Sequence, residues 1–266
     1  MNKIYNSFLT SFGLICRIPI KMEYKTDFSL FGLFFPLIGI IVSALVLVSF
    51  YILNLLFSQL IITAVLIIFI QYSAFNLFHF DGLLDCADAF FFNTGKKRRL
   101  EILIDKRTGS FAVFAGTLYL ILKVFLVSSA VNSLGSNESN WGWIVLLFIY
   151  PLSGRISGSL MPALISPADD PGLAKLLLGY SKIAVTIGIM LSYSIPFGIV
   201  YLLTTGNVSV LLAISPLIAA IISGLLISGL SKKMLGGYTG DSIGLSIEIG
   251  ELVHLIVLVE IMGRLF

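Results

Sequence analysis

The sequence predicts an all-α fold, a polytopic membrane helix bundle of about seven transmembrane helices with a cytoplasmic N-terminus. Its 266 residues are 58% hydrophobic and 12% charged, with a mean hydropathy of +1.02, which excludes an ordinary soluble domain. The apolar runs are roughly twenty residues or longer, about twice the alternating segments of a transmembrane barrel. Lys and Arg gather in alternate loops, as they do on the cytoplasmic side of membrane proteins.

The N-terminal segment 1–28 reads as interfacial. Lys3 and Arg17 flank a short mixed stretch without a small-residue cleavage site, so a helix lying on the bilayer is expected rather than a signal peptide. Apolar spans follow at about 30–57, 60–80, 111–131, 143–163, 183–203, 209–230 and 243–262. Pro36, Pro151, Pro196 and Pro216 fall within them, which membrane helices tolerate. Lys3, Arg17, Lys21 and Lys25 precede the first span, and Lys96, Lys97, Arg98, Arg99, Lys106 and Arg107 occupy the loop 81–110. Later loops hold Lys175, Lys182, Lys232 and Lys233, whereas the intervening loops hold no basic residue. The expected topology is N-inside in the cell (plasma or inner) membrane, with residues 1–266 forming one multi-pass domain. Cys16 and Cys86 then face a reducing compartment, where they act as small apolar fillers.

Chemistry concentrates where the second span ends. In His79-Phe80-Asp81-Gly82-Leu83-Leu84-Asp85-Cys86-Ala87-Asp88-Ala89, offsets of four and three put Asp81, Asp85 and Asp88 on one helical face. Carboxylates are expensive beside a bilayer, and three together call for a cation, best a divalent metal. His79 borders the cluster as a base, a phosphate donor or an interfacial polar residue. The stretch Arg98 to Ser110 adds Arg99, Asp105, Lys106 and Arg107, a mixture suited to phosphates, although a basic loop also enforces topology and Asp105 also suits a helix cap. Gly236-Gly237-Tyr238-Thr239-Gly240-Asp241 leads into the last span, where Asp241 is either functional or a cap. Glu248 lies on the same face about two turns further, and Arg155 is a charge within a span. Arg155 is expected to meet a phosphate or an acid, and Glu248 to face a polar cavity or to pair with Arg155 or Lys123.

At these three stretches the chain resembles the cobalamin synthase family, the adenosylcobinamide-GDP ribazoletransferases, with weaker echoes in Arg17-Ile18-Pro19 and Phe35-Pro36-Leu37-Ile38-Gly39. The likeness runs through nearly the whole chain. It implies an integral membrane enzyme that requires Mg²⁺ and completes the nucleotide loop of adenosylcobalamin. In that reaction a ribose hydroxyl of α-ribazole, or of its 5′-phosphate, attacks the cobinamide-linked phosphate of adenosylcobinamide-GDP and GMP leaves. The family's pattern carries Asp81, Asp85 and Asp88 onto acidic motif positions, Asp105 and Arg107 onto the second motif and Asp241 onto the third; Asp81, Asp85, Asp88, Asp105 and Asp241 are the expected metal ligands, and Asp81, Asp85 and His79 the expected catalytic residues. Arg17, Arg99, Lys106, Arg107, Arg155, Tyr238, Thr239 and Glu248 are the expected substrate contacts. The chain departs from the family's pattern at Leu84 and Lys106, where smaller residues stand. The lipid bilayer is an expected partner and nucleic acid is not.

Two other readings stay open on the residues alone. A membrane CDP-alcohol phosphotransferase would use similar aspartates, but Asp81-Gly82 lacks the Ala-Arg that follows in that signature. A cation transporter would place acids at mid-bilayer, whereas most acids here lie near the cytoplasmic edge. No Walker-type phosphate loop is present, which argues against ATP-driven pumping.

Overall fold

The computed structural model describes residues 2–16, 18, 19, 21–134, 141–169, 172–177, 180–203 and 207–265. Helix α1 (Lys3–Ile15) is capped by Asn2, whose Oδ1 accepts the Ile4 N–H at 3.1 Å. Its polarity is the reverse of a soluble helix. Asn6, Ser7, Thr10 and Ser11 are buried, while Ile4, Tyr5 and Leu14 are exposed. The inner polar face satisfies the chain that follows: Asn6 Oδ1, Thr10 Oγ1 and Ser7 Oγ accept from the N–H groups of Lys25, Asp27 and Leu30.

Next come α2 (Phe31–Leu56), α3 (Leu60–Gln71) and α4 (Leu77–Phe91), the last two joined by a π-helical turn over Tyr72–Asn76. The expected loop from residue 81 therefore begins only after Phe91. The helix continues past the first charge because Leu83, Cys86, Ala87 and Ala89 keep an apolar stripe buried. A short α5 (Lys96–Leu103) and then α6 (Ser110–Leu134) follow. The span expected at 143–163 is two helices, α7 (Trp141–Phe148) and α8 (Tyr150–Leu164), parted at Ile149 where Pro151 enters the first turn of α8. A 3₁₀ turn (Gly172–Leu177), α9 (Lys182–Leu203), α10 (Asn207–Leu235) and α11 (Gly240–Leu265) complete the chain.

Among the described residues, seven helical segments are long and apolar enough to cross a membrane, as befits a multi-pass membrane protein. The segments Trp141–Leu164 and Gly240–Gly263 are the most buried, and α11 packs against α8, α4 and α10. Outer residues carry bare apolar side chains, with Leu55 at 87% and Leu202 at 80% exposure, a surface suited to lipid.

The centre of the bundle is polar. Lys123 of α6, Arg155 of α8 and Glu248 and Glu251 of α11 are fully buried. Glu251 is ion-paired with both Lys123 and Arg155 and accepts from Gln71 Nε2 and Asn76 Nδ2. Glu248 lies 3.6 Å from Lys123 and accepts from Tyr72, Tyr119 and Asn76. The π turn brings Tyr72 and Asn76 into this network, so irregular winding here serves polar satisfaction.

Candidate functional site

The site forms where α4 crosses α11 with no side chain between their backbones. A Cβ on Gly82 would lie 2.6 Å from the Asp241 carbonyl oxygen and 2.8 Å from its Cα. A Cβ on Gly244 would lie 2.9 Å from the His79 carbonyl oxygen. These glycines let the start of α11 sit directly on α4 and bring Asp241 beside the Asp81 face. Gly82→Ala is expected to cost about 1–3 kcal/mol, because the obstacle is backbone that has no side chain to move aside. Thermal unfolding in detergent checks this against Gly198→Ala, where an added methyl meets nothing within 4 Å.

Asp81, His79 and Asp241 line one cavity of about 360 Å³. Leu14 and Ile15 of α1, Phe31 and Phe35 of α2, Phe78, Leu177 and Ile243 form its apolar wall. His79 is 8% exposed and its Nε2 has no hydrogen-bond partner. Asp85, one turn beyond Asp81, is within electrostatic reach of Asp81, Asp241 and Asp88. Among the described residues, no Lys or Arg forms an ion pair with Asp81, Asp85 or Asp241.

The loop before α11 places Asp241 in the first turn of that helix. The expected alternative of Asp241 as a cap is not what forms. Thr239 and Ser242 cap the helix reciprocally: Thr239 Oγ1 accepts the Ser242 N–H at 3.2 Å, and Ser242 Oγ accepts the Thr239 N–H at 2.8 Å. Tyr238 is buried at 2% exposure. Its N–H donates to Ser166 and its carbonyl accepts from Ala168, which ties the loop to the chain after α8. Gly236 turns the backbone with φ +90, a conformation open to glycine.

Several expected site residues are engaged elsewhere. The Asp88 carboxylate accepts the N–H groups of Gly109 at 2.6 Å and Ala112 at 3.0 Å, so it caps α6. Asp105 accepts from the Arg107 backbone N–H, Nε and Nη2 at 3.1, 3.1 and 2.7 Å. Those hydrogen bonds hold the Asp105 carboxyl down to about 2 and raise the Arg107 guanidinium. Asp105 is not among the charges acting on Asp85. Arg99 Nε donates to the Ala89 carbonyl at 3.2 Å, fastening α5 to the end of α4.

Arg155 and Glu248 are buried in the central network, where Arg155 donates to Asn76 and pairs with Glu251. Tyr238 and Thr239 shape the loop, and Lys106 is exposed. Arg17 lies outside the described residues. Among the described residues, no three His, Cys, Asp or Glu side chains stand together as a ready metal cage. Of the five aspartates expected as ligands, Asp81 and Asp241 line the cavity, Asp85 lies within electrostatic reach of both, and Asp88 and Asp105 accept hydrogen bonds from neighbouring N–H groups.

The basic helix lies at the same end of the bundle as these acids. Helix α5 packs against α4 and α10, and Lys96 Cδ is 3.9 Å from where a Cβ on Gly236 would stand. Sequence reasoning missed the cavity wall from α1 and α2 and the role of Glu251. Gln71, Asn76 and Lys123, polar residues within apolar spans, were the available signal for the buried network.

The family described as cobalamin-5-phosphate synthase matches residues 7–259. The chain is 29% identical over 255 residues to the adenosylcobinamide-GDP ribazoletransferase of Fervidobacterium nodosum, covering 94% of this chain and 95% of that protein. It is 31% identical over 241 residues to the enzyme of that name from Thermosipho africanus, covering 90% and 91% of the two chains. It is 30% identical over 266 residues to that of Clostridium tetani, covering 98% and 99%. No solved structure matches.

Proposed function

Because the chain belongs to the cobalamin-5-phosphate synthase family, we propose that it joins α-ribazole, or α-ribazole 5′-phosphate, to adenosylcobinamide-GDP at the α4–α11 crossing and releases GMP. The observation that carries this reading is the meeting of Asp81 and Asp241, from distant segments, beside a buried His79 whose Nε2 lacks a partner.

Asp81, Asp85 and Asp241 make no ion pair among the described residues, and although they do not form a ready cage, Mg²⁺ takes only one or two carboxylates and completes its shell with water and phosphate oxygens. Asp81, Asp85 and Asp241 would hold the ion, and when bound it supplies positive charge to the diphosphate. The ribose hydroxyl oxygen forms a bond to the cobinamide-linked phosphorus as the bond from that phosphorus to the GMP oxygen breaks. His79 Nε2 takes the hydroxyl proton. Little else is demanded of the protein, since phosphoryl transfer is chiefly a matter of positioning and charge. The exposed cations of α5 and the following loop, Lys96, Lys97 and Lys106, present positive charge to the anionic diphosphate. The gathering of Lys and Arg at this end supports an N-inside topology with the site facing the cytoplasm.

Purified protein in liposomes, given adenosylcobinamide-GDP, α-ribazole 5′-phosphate and Mg²⁺, is expected to release GMP, to stop when the metal is chelated and to resume when Mg²⁺ returns. Ion movement across the liposomes with no GMP formed would replace this reading with the transporter.

A further inference from the structure

The cavity beside Asp81 has a second property, its mixed lining. His79, Asp81 and Asp241 are its polar residues, and its wall is otherwise mostly apolar, with Phe31 and Phe35 paired at a centroid distance of 5.2 Å alongside Leu14, Phe78 and Ile243. Its volume of about 360 Å³ lies at the small end of the roughly 300–1,000 Å³ range of ligand sites, enough for one nucleoside and far too little for a corrin macrocycle.

Resting on the transferase reading above, we propose that this cavity is the α-ribazole subsite. The dimethylated bicyclic base lies against Phe31 and Phe35, and the ribose points to His79, Asp81 and Asp241. Such a base carries one ring-nitrogen acceptor and no exocyclic donor or acceptor, far fewer polar groups than guanine, so a largely apolar wall suits it. Guanine is the competing occupant. A carboxylate can accept from its N1–H and amino group, but its carbonyl and N7 would face aliphatic and phenyl groups, each lost hydrogen bond costing about 1–3 kcal/mol. The guanosine diphosphate portion of the second substrate therefore stays outside the cavity, toward the basic residues of α5. Filling the cavity also explains the orphaned His79 Nε2, which gains the ribose hydroxyl as its partner.

Leu14 and Phe78 are 37% and 59% exposed at the rim, so shortening either leaves the buried core intact. Full-length protein in nanodiscs is titrated with α-ribazole alone, and KM is then measured separately for each substrate. Leu14→Ala and Phe78→Ala are each expected to weaken α-ribazole binding roughly tenfold, the loss of part of one apolar contact face, with KM for adenosylcobinamide-GDP within about twofold of wild type. GMP is expected not to displace α-ribazole. Displacement by GMP, a rise confined to the KM for adenosylcobinamide-GDP, or unaltered α-ribazole affinity in both variants would overturn the assignment. Because the titration needs no turnover, failure of wild-type protein to release GMP would sink the transferase reading separately from this one. Unchanged unfolding temperatures establish that the variants are folded.

Discussion

Asp81→Asn is expected to lower turnover about a thousandfold without disturbing membrane insertion, the scale of losing several kcal/mol of charge stabilisation. The substitution keeps shape and removes one negative charge. Asp81 is exposed at the cavity and forms no ion pair among the described residues, so the fold does not depend on its carboxylate. GMP release and detergent unfolding, run in parallel, should show activity lost and stability kept. Near-normal release would remove Asp81 from the reaction.

Glu251→Ala is expected to have the opposite signature, a loss of about 3–5 kcal/mol in stability, enough to deplete the folded protein during extraction. Lys123 and Arg155 are both fully buried and both pair with Glu251, and Gln71 donates to both of its oxygens. Truncation leaves two cations facing each other in the bundle centre with only Glu248 nearby. Thermal unfolding measures the loss, and a change under about half a kcal/mol, the level of an inert surface substitution, would show that the network does not hold the bundle together. Glu251→Gln, which keeps hydrogen-bonding atoms, should fall between.

The spans were legible because hydropathy over twenty residues is a bulk property that local irregularity does not erase. Their interruptions were not. The π turn at Tyr72–Asn76 carries no Gly or Pro, and the joint at Ile149 depends on Pro151, a residue that membrane helices often absorb. The aspartate face was readable from spacing and from the family motifs, but spacing is blind to competing donors. Nothing local to Asp88 announces that Gly109 and Ala112, more than twenty residues on, take its oxygens. Likewise Lys123 was a plausible partner for Glu248 and lies 3.6 Å from it, while Arg155 chose Glu251 through a tertiary arrangement that no pattern along α11 encodes. The cavity wall was invisible for the same reason, since α1 and α4 are separated by more than sixty residues and meet only in three dimensions.

The wider turn between α3 and α4 also fixes a rotational phase. A π turn accommodates one residue more than regular winding would, and each residue in a helix advances the azimuth by about 100°. The direction in which the downstream acidic residues point is therefore encoded upstream, by a one-residue excess in the rod. Deleting that excess would nearly preserve the hydrophobic length of the segment while swinging Asp81 and Asp85 away from Asp241, so the geometry of this crossing depends on the irregular turn as much as on the aspartates themselves.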